Sequence, residues 1–431
     1  MRILYLTWGE VPRLSSVYGG QAVQMVSAFQ RQETVESAQL LAGYPIIHSG
    51  LVREKWRYKQ QLTAISERLG AENFTTRRIP VPPVGVHPKK WQLPSFTMGQ
   101  HRFLAKKIRK CRADVIQCRS YVATHLALET RARFGLTCRV VFDARSLMPE
   151  EGAISGRWDH NDANFAFWKQ REANILASAD LSLAVSQPMQ DRFDKLGARR
   201  SALIHLNVDI GALDEKRIAD TSRVKAGAPV VAYCGYLAEN TWHSPTNLWE
   251  AFNSFLSHCP GARLLVITKS SHKMLRESLK AQGMAEMLKV ITFTSAPSPA
   301  ETVSLLQDAD LSIFSYRTPA NSFEKEMAEP VFATKSAEYL CAGLPMIVNN
   351  FCGGARDYAI DRDAGVGYDV EALLSAQDVE TLMRQACDRV RISHTARADF
   401  SIDQNAKRLA SLFHDLSPRT PDSMNYGDNA R

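Results

Sequence analysis

The feature that most constrains the fold of this chain is a repeated alternation of short apolar runs with segments of helical periodicity. Ile3 to Thr7 is a β-rich apolar run, and a polar loop separates it from Gln21 to Arg31, where apolar residues recur at helical spacing. The same order returns, with strands predicted at 115–118, 139–143, 181–185 and 201–205 and helices at 123–134 and 189–196. Such alternation predicts a parallel sheet with helices on both faces.

A second series of the same kind begins at Val230. Its predicted strands are 230–234, 263–268, 289–293, 311–315 and 346–349, with helices at 246–258, 273–282, 299–307 and 334–342. One more helix is predicted from Ile402 to Phe413. The fold class is therefore α/β, with two doubly wound, Rossmann-like domains.

The 431 residues are enough for two or three domains. We predict an N-terminal domain, a linker, a C-terminal domain, a helix that crosses back to the first domain and a disordered tail, at 1–206, 207–228, 229–400, 401–416 and 417–431. Because parallel sheets bind ligands at the carboxyl ends of their strands, we expect a site in a central cleft that the two domains face.

Positive charge is concentrated in the first half of a chain whose net charge is +8. The stretch from Asn73 to Ala113 has ten basic residues and no acidic one. Residues 77–112 are therefore expected to attract an anionic partner, such as an anionic membrane surface, a phosphorylated carrier or nucleic acid. The alternative is a solvated basic helix face. Nucleic acid is the least expected of these partners, because no recognisable nucleic-acid-binding motif surrounds the stretch.

The eight cysteines are scattered without a Cys-x-x-Cys pair, which predicts reduced thiols rather than a zinc site or a disulfide framework. No apolar run approaches the roughly 20 residues that a membrane-spanning helix needs. The expected location is cytoplasmic, with peripheral attachment to the inner membrane face through the basic stretch.

The most informative motif is Lys335-Ser336-Ala337-Glu338-Tyr339-Leu340, in a helix that ends near Gly343 and Pro345. Lys335 and Glu338 are three residues apart and share one face of the first helical turn. A cation and an anion thus project together from the start of a helix that leads into a buried strand. An ordinary surface ion pair would have the same pattern.

This segment resembles the donor-binding signature of GT-B glycosyltransferases, specifically glycosyltransferase family 4. The resemblance implies that Glu338 accepts hydrogen bonds from the ribose hydroxyls of a nucleotide sugar and that Lys335 lies near the diphosphate. Gly19-Gly20 resembles the glycine-rich loop of that family, where small residues let backbone amides approach the donor. The segment 349–368 and the helix 402–413 resemble the regions that follow the signature, so the resemblance covers nearly the whole chain in order.

The sequence departs from the family pattern at two places. Pro330 stands eight positions before Glu338, where the family has a Glu that contacts the donor sugar; Glu326 and Glu329 are nearby. The segment from Gly235 to His243 lacks the Arg and Lys with which the family neutralises the diphosphate. Lys269, after the next strand, is the residue that we expect to supply this charge.

In the first domain, Asp143 and Arg145 follow a predicted strand and replace the His that many members of the family place near the sugar. We predict that they belong to the catalytic site, together with Lys335. The alternative is an internal Asp143–Arg145 pair that holds the loop. No metal site is predicted, because Asp308-x-Asp310 precedes its strand and Asp361-x-Asp363 lies beyond the signature.

The resemblance implies a hexosyltransferase that uses a nucleotide sugar as its donor substrate and needs no cofactor. From the resemblance we expect a retaining, metal-independent reaction and a lipid-linked or polysaccharide acceptor. Two alternatives remain open at this point. One is a nucleotide-sugar epimerase or hydrolase on the same fold, and the other is a catalytically inactive binding subunit.

Overall fold

The computed structural model describes residues 1–14, 17–45, 55–80, 87–208, 213–238 and 242–416. The chain forms two compact units. The first consists of Met1–His205 together with the C-terminal segment from Ile402, and the second is Leu206–Ser401. The predicted tail, 417–431, and residues 209–212 of the predicted linker lie outside the described residues.

The first unit contains a seven-stranded parallel sheet with the order β3-β2-β1-β4-β5-β6-β7. Its strands are β1 (Arg2–Trp8), β2 (Ser37–Pro45), β3 (Phe74–Ile79), β4 (Val115–Arg119), β5 (Arg139–Asp143), β6 (Leu181–Ala184) and β7 (Ser201–Leu203). The chain runs from β1 outward to β3 and then returns to β4 on the other side of β1. The boundary between β1 and β4 is therefore the switch point of this sheet, where ligands commonly bind.

Helices surround the first sheet. They are α1 (Gln24–Phe29), α2 (Lys55–Leu69), α3 (Leu93–Thr97), α4 (Gln100–Cys111), α5 (Ser120–Phe134), α6 (Met148–Ile154), α7 (Ala163–Ser178) and α8 (Gln187–Lys195). A π-helical turn (Gly19–Val23) leads into α1, and a 3₁₀ turn (Lys90–Gln92) leads into α3.

The second unit contains a six-stranded parallel sheet with the order β10-β9-β8-β11-β12-β13. Its strands are β8 (Val230–Cys234), β9 (Arg263–Ile267), β10 (Ile291–Thr294), β11 (Leu311–Phe314), β12 (Met346–Asn349) and β13 (Gly365–Tyr368). Here the switch point lies between β8 and β11. Strand residues such as Val231, Ile313 and Ile347 are buried, as expected for strands covered on both faces.

The helices of the second unit are α9 (Glu215–Ala219), α10 (Ser222–Lys225), α11 (Pro245–His258), α12 (His272–Ala281), α13 (Pro299–Gln307), α14 (Ser322–Ala328), α15 (Thr334–Cys341), α16 (Gly353–Asp361), α17 (Ala376–Ala386) and α18 (Arg389–Phe400). Serine hydroxyls cap α11, α12 and α13 by accepting hydrogen bonds from backbone amides; the three residues are Ser244, Ser271 and Ser298. These caps fix where the chain turns from each strand into the next helix.

The last helix, α19 (Ile402–His414), belongs to the first unit. Ala406, Leu409 and Phe413 are buried in the same apolar cluster as residues of β1 and α1. The rings of Phe413 and Phe29 lie 6.0 Å apart between their centroids. The final helix thus completes the core of a sheet whose first strand begins 400 residues earlier in the chain.

The predicted doubly wound fold is confirmed, and most of the predicted strands begin or end within two residues of the observed ones. The strand predicted at 289–293 begins at Ile291 instead, because Ala285–Lys289 is a 3₁₀ turn. Strands β2, β3 and β13 were not predicted. Within the described residues, no helix combines the length and hydropathy required to cross a bilayer.

Candidate functional site

The start of α15 brings Lys335 and Glu338 together. The Nζ atom of Lys335 lies 2.5 Å from Oε2 of Glu338, and the two side chains are 32% and 23% exposed. Both groups therefore lie at a partly open surface where a ligand can reach them. The predicted proximity is present in the structure, while the function of the pair stays a prediction.

Tyr339 attaches the first turns of α15 to the carboxyl end of β8. Its hydroxyl accepts a hydrogen bond from the backbone amide of Cys234 at 2.6 Å and donates one to the carbonyl oxygen of the same residue at 3.0 Å. Tyr339 is fully buried. Because Cys234 ends β8, this contact holds Lys335 and Glu338 at the switch point of the second sheet.

The electrostatic surroundings keep Lys335 positively charged. Burial lowers its pKa, but the Glu338 carboxylate and the neighbouring Cys234 outweigh that effect, and the net shift is upward. Burial raises the pKa of the Cys234 thiol to about 11, so this thiol stays protonated at neutral pH. The start of α15 therefore presents an ammonium group beside a carboxylate.

Gly343 ends this helix in the left-handed region, with φ of 76°. The amide of Gly343 donates to the carbonyl of Leu340 at 2.9 Å, and that of Leu344 donates to the carbonyl of Tyr339 at 3.0 Å. A Cβ at position 343 would lie 2.6 Å from the carbonyl oxygen of Arg389. Glycine is thus required both for the backbone conformation and for the close approach of α18.

Lys269 follows β9, and its side chain is exposed. It lines an open groove of about 580 Å³ together with Thr268, Ser270, His272 and Ser295–Pro297. The hydroxyl of Ser270 accepts a hydrogen bond from the amide of Leu237 at 2.9 Å, which ties the loop after β9 to the loop after β8. Lys269 therefore stands on a loop attached to the segment that lacks the family's Arg and Lys; residues 239–241 of that segment lie outside the described residues.

His243 is packed among aromatic rings. Its ring makes edge contacts with Tyr233 and with Phe314, at centroid distances of 5.7 Å and 4.9 Å. Burial lowers its pKa to about 4. The packed surroundings therefore disfavour the charged form of His243.

Pro330 and Glu329 lie beside the start of α16. The amide of Gly354 donates to the carbonyl of Glu329 at 2.7 Å, and the Glu329 carboxylate lies 3.5 Å from the guanidinium of Arg356. The carboxylate next to Pro330 is therefore paired with Arg356. Asp357 holds the same guanidinium at 2.7 Å.

Each Asp-x-Asp pair has an aspartate in ion pairs with arginine. Asp310 is fully buried and pairs with Arg223 at 2.9 Å and with Arg389 at 3.4 Å. Asp363 pairs with Arg384 at 2.7 Å. Among the residues that the structure describes, no cluster of three or more His, Cys, Asp or Glu side chains has the arrangement of a metal site.

In the first unit, Gly19 and Gly20 open the π-helical turn that precedes α1. A Cβ at Gly19 would lie 2.0 Å from the carbonyl oxygen of Leu14, so the backbone itself excludes any larger residue. A Cβ at Gly20 would meet no described atom within 4 Å. Only Gly20 is therefore placed to leave room for a ligand, whereas Gly19 is explained by packing.

Asp143 and Arg145 form a buried pair after β5. Nε of Arg145 lies 2.7 Å from Oδ1 of Asp143, while Oδ2 accepts a hydrogen bond from Gln117 at 2.8 Å. The hydroxyl of Tyr5 donates to Oδ2 at 3.3 Å. This is the internal contact that the sequence left open as an alternative, and the role of either residue in catalysis stays a prediction.

Two residues at this edge of the sheet have strained backbones. Ser120, directly after β4, has φ of 70°, and Arg145, after the neighbouring β5, has φ of 64°. Left-handed conformations are unfavourable for residues with a side chain and concentrate at functional sites. The strain at adjacent strand ends supports a functional role for this edge.

The sequence analysis missed Arg119 and Glu10. Nε of Arg119 donates to both oxygens of the Glu10 carboxylate at 3.0 Å and 3.1 Å, and Nη1 donates to Gln21 at 2.9 Å. Arg119 ends β4 and Glu10 follows β1, so the pair bridges the switch point of the first sheet. The available sequence signal was an arginine directly after the predicted strand 115–118.

Comparisons with known proteins agree with this architecture. The sequence pattern of the family described as Glycosyltransferase Family 4 matches residues 59–211. No curated protein matches the chain.

Solved structures share the fold across almost the whole chain. Sucrose-phosphate synthase from Thermosynechococcus elongatus is 12% identical, with a TM-score of 0.60 and with 96% of this chain and 98% of that chain covered. HepE from Anabaena, solved in complex with UDP, is 13% identical with a TM-score of 0.61. The match covers 96% of this chain and 100% of that chain. The lipopolysaccharide outer core galactosyltransferase WaaB is 12% identical with a TM-score of 0.61, and the coverage is 96% and 99%.

At these identities the structures establish the fold, and the family pattern adds an independent sequence match within the first unit. The chain therefore has the two-domain GT-B fold of these structures, and its residues 59–211 match the pattern of Glycosyltransferase Family 4.

Proposed function

We propose that the protein is a nucleotide-sugar-dependent glycosyltransferase whose donor binds at the start of α15. The observation that carries this proposal is the Lys335–Glu338 pair, partly exposed at 2.5 Å and held at the switch point of the second sheet by Tyr339. The structures of HepE with UDP and with UDP-glucose support a nucleoside diphosphate sugar as the donor class.

Each member of the pair has a distinct part in donor binding. Glu338 accepts hydrogen bonds from the two ribose hydroxyls, since a carboxylate offers two acceptor oxygens. Lys335 lies at the diphosphate, where the positive end of α15 adds to its charge. When the donor binds, its ribose hydroxyls and its diphosphate replace part of the contact between Glu338 and Lys335.

The transfer breaks the bond between the anomeric carbon and a diphosphate oxygen, and the electron pair leaves with the nucleoside diphosphate. The acceptor hydroxyl oxygen bonds to the anomeric carbon and gives its proton to the departing diphosphate. Lys335, with Lys269, stabilises the negative charge that grows on the leaving group, which is the kind of preorganised electrostatic effect that contributes most in many enzymes. A divalent ion is not required in this scheme.

The proposed acceptor is a lipid-linked or polysaccharide hydroxyl, and the transferred group is a hexose-type sugar added with retention of configuration. We assign the acceptor to the first unit, near Asp143 and Arg145. The buried Asp143–Arg145 pair would act there by fixing the strained loop after β5. A lipid-linked acceptor would also require the first unit to reach a membrane surface.

Ligand binding and turnover together test the proposal. We expect UDP, GDP or ADP to raise the melting temperature of the full chain, and the matching nucleotide sugar to be consumed only when an acceptor is supplied. Donor consumption without acceptor, giving an isomerised or hydrolysed sugar, would establish the epimerase or hydrolase alternative. Binding without turnover on any lipid-linked or polysaccharide acceptor would indicate an inactive binding subunit.

Glu338→Gln identifies the donor site in the same assay. The matched control is Glu286→Gln, since Glu286 and Lys289 form another (i, i+3) ion pair in the second unit, at an exposed 3₁₀ turn. We expect the nucleotide-induced shift to become smaller in the Glu338 variant alone. Equal shifts in both variants would place the nucleotide elsewhere.

A further inference from the structure

The first unit exposes two large apolar side chains beside α3. Trp91 is 71% exposed and Met98 is 73% exposed, the highest values among the large hydrophobic residues that the structure describes. Trp91 lies in the 3₁₀ turn before α3, and Met98 directly follows that helix. An indole and a thioether exposed at the two ends of one short helix offer apolar surface that a partner could cover.

Helix α4 follows immediately and presents a basic face. Arg102, Lys106 and Lys110 recur every four residues, which places them on the same side of the helix, and all three are exposed. None of them forms an ion pair with any described residue. With no acidic residue between 73 and 113, nothing in this part of the sequence neutralises that face.

Other basic residues of the stretch are directed into the protein. Nζ of Lys107 donates to Gln39 at 2.8 Å and to Thr75 at 3.0 Å, and burial lowers the pKa of this amine. Arg77 donates to Gln100 at 3.0 Å. The structure thus divides the basic stretch into structural residues and an exposed set on the helix that follows Trp91 and Met98 in the sequence.

We propose that Trp91, Met98, Arg102, Lys106 and Lys110 form a docking surface for a bilayer that contains anionic phospholipid. The basic groups contact lipid headgroups, and the indole and thioether enter the interfacial region. Tryptophan is favoured at such interfaces, and basic residues beside interfacial apolar groups add electrostatic attraction. Charge alone would suit any polyanion, but exposed apolar groups on both sides of α3 favour a partner with an apolar interior.

Vesicle flotation tests the proposal with the full chain. We expect it to float with vesicles that contain phosphatidylglycerol, to bind phosphatidylcholine vesicles weakly, and to be released by salt, since exposed charges are screened beyond roughly 8 Å at physiological ionic strength. Replacing Arg102, Lys106 and Lys110 by Gln should weaken binding roughly fivefold per charge. The double variant Trp91→Ser, Met98→Ser should bind the anionic vesicles more weakly, and salt should still release it.

Matched controls lie in the second unit. Met274→Ser removes an apolar side chain of similar exposure, 68%, and Lys273→Gln with Lys280→Gln and Lys289→Gln removes the same charge from exposed positions. These variants should float like the wild type. Nucleotide-induced melting shifts should persist in all variants, which separates the docking surface from the proposed donor site.

Three results would overturn the proposal. They are equal binding to neutral and anionic vesicles, unchanged binding after the Trp91 and Met98 substitutions, and binding of RNA or another soluble polyanion without binding of vesicles. The last result would assign the basic face to a different class of partner. Far-ultraviolet circular dichroism would confirm that each variant is folded.

Discussion

The hydroxyl of Tyr339 makes two hydrogen bonds with the backbone of a single residue, Cys234, at 2.6 Å and 3.0 Å. One side chain therefore satisfies both the amide and the carbonyl of the last residue of β8. The contact joins two segments that are 105 residues apart, and it determines where the first turns of α15 stand.

Tyr339→Phe should destabilise the protein by about 1–3 kcal/mol, because it leaves a buried amide and a buried carbonyl without a partner. Nucleotide affinity should fall as well, since α15 loses its attachment to β8. Urea denaturation and calorimetric titration measure the two effects. A variant with wild-type stability would show that the contact is dispensable. Tyr236→Phe, at an exposed tyrosine of the same unit, is the control.

Glu338→Gln should weaken binding of the nucleoside diphosphate that the wild type recognises. Hydrogen bonds to a charged group contribute about 1.5–3 kcal/mol, so the dissociation constant should rise roughly tenfold to a hundredfold. The isosteric amide keeps one acceptor oxygen and should leave folding unchanged. Isothermal titration calorimetry gives the constant, and an unaltered value would remove Glu338 from the ribose site.

Lys335→Ala should reduce kcat more than it raises KM for the donor. Negative charge on the leaving diphosphate increases toward the transition state, so a cation placed there stabilises the transition state more than the ground state. Steady-state kinetics with the identified donor and acceptor provide the test. An undiminished kcat would contradict the leaving-group role, and Lys289→Ala controls for loss of a lysine from an (i, i+3) pair.

Chelation should leave turnover intact. One aspartate of each Asp-x-Asp pair, Asp310 and Asp363, is held in ion pairs with arginine, which disfavours a divalent ion there. Activity measured after dialysis against EDTA should equal that of the untreated enzyme. Loss of activity that magnesium or manganese restores would show that the reaction needs a metal ion.

Acid should destabilise the first unit through His101 and His125, whose ring nitrogens lie 3.3 Å and 3.4 Å from the Glu129 carboxylate. Burial, with nearby arginines, lowers the pKa of His101 to about 4 and that of His125 to about 3. The unfolded chain therefore binds more protons than the native state below about pH 6.5, and stability falls with pH between 6.5 and 4.

The free energy of unfolding changes by at most about 1.4 kcal/mol per pH unit for each histidine. Glu129 acts in the opposite direction, because burial raises its pKa and favours its protonated form in the native state. Urea denaturation at several pH values should give a flatter profile for the His101→Gln, His125→Gln double variant than for the wild type. The exposed His160→Gln serves as the control, and equal slopes in all three proteins would refute the assignment.

Local sequence patterns were sufficient to predict contacts between residues that are close together in the sequence. The Lys335–Glu338 contact follows from helical spacing, and Asp143–Arg145 is a pair two residues apart whose ion pair was foreseen as one of two possibilities. Strand β3 was missed because Phe74–Ile79 carries polar residues suited to the edge of a sheet, and β13 because two of its four residues are glycine.

Contacts between distant segments could not be predicted in the same way. Arg119 and Glu10 are 109 residues apart, and nothing in either local sequence indicates the other. Only the strand order, which places β4 beside β1, brings them together. The contact of Tyr339 with Cys234 also joins distant segments. It forms only because the fold brings α15 to the end of β8.

The position of α19 has a consequence for biosynthesis. Its buried residues Leu409 and Phe413 complete the core around Phe29, yet they are translated after the entire second unit. The second unit is continuous in sequence, so its fold needs no segment translated after Ser401. The first unit lacks part of its core until the final helix has been released, and an apolar face beside α1 stays uncovered until then. A chain truncated before α19 would thus keep every segment of the second unit, joined to a first unit with an incomplete core.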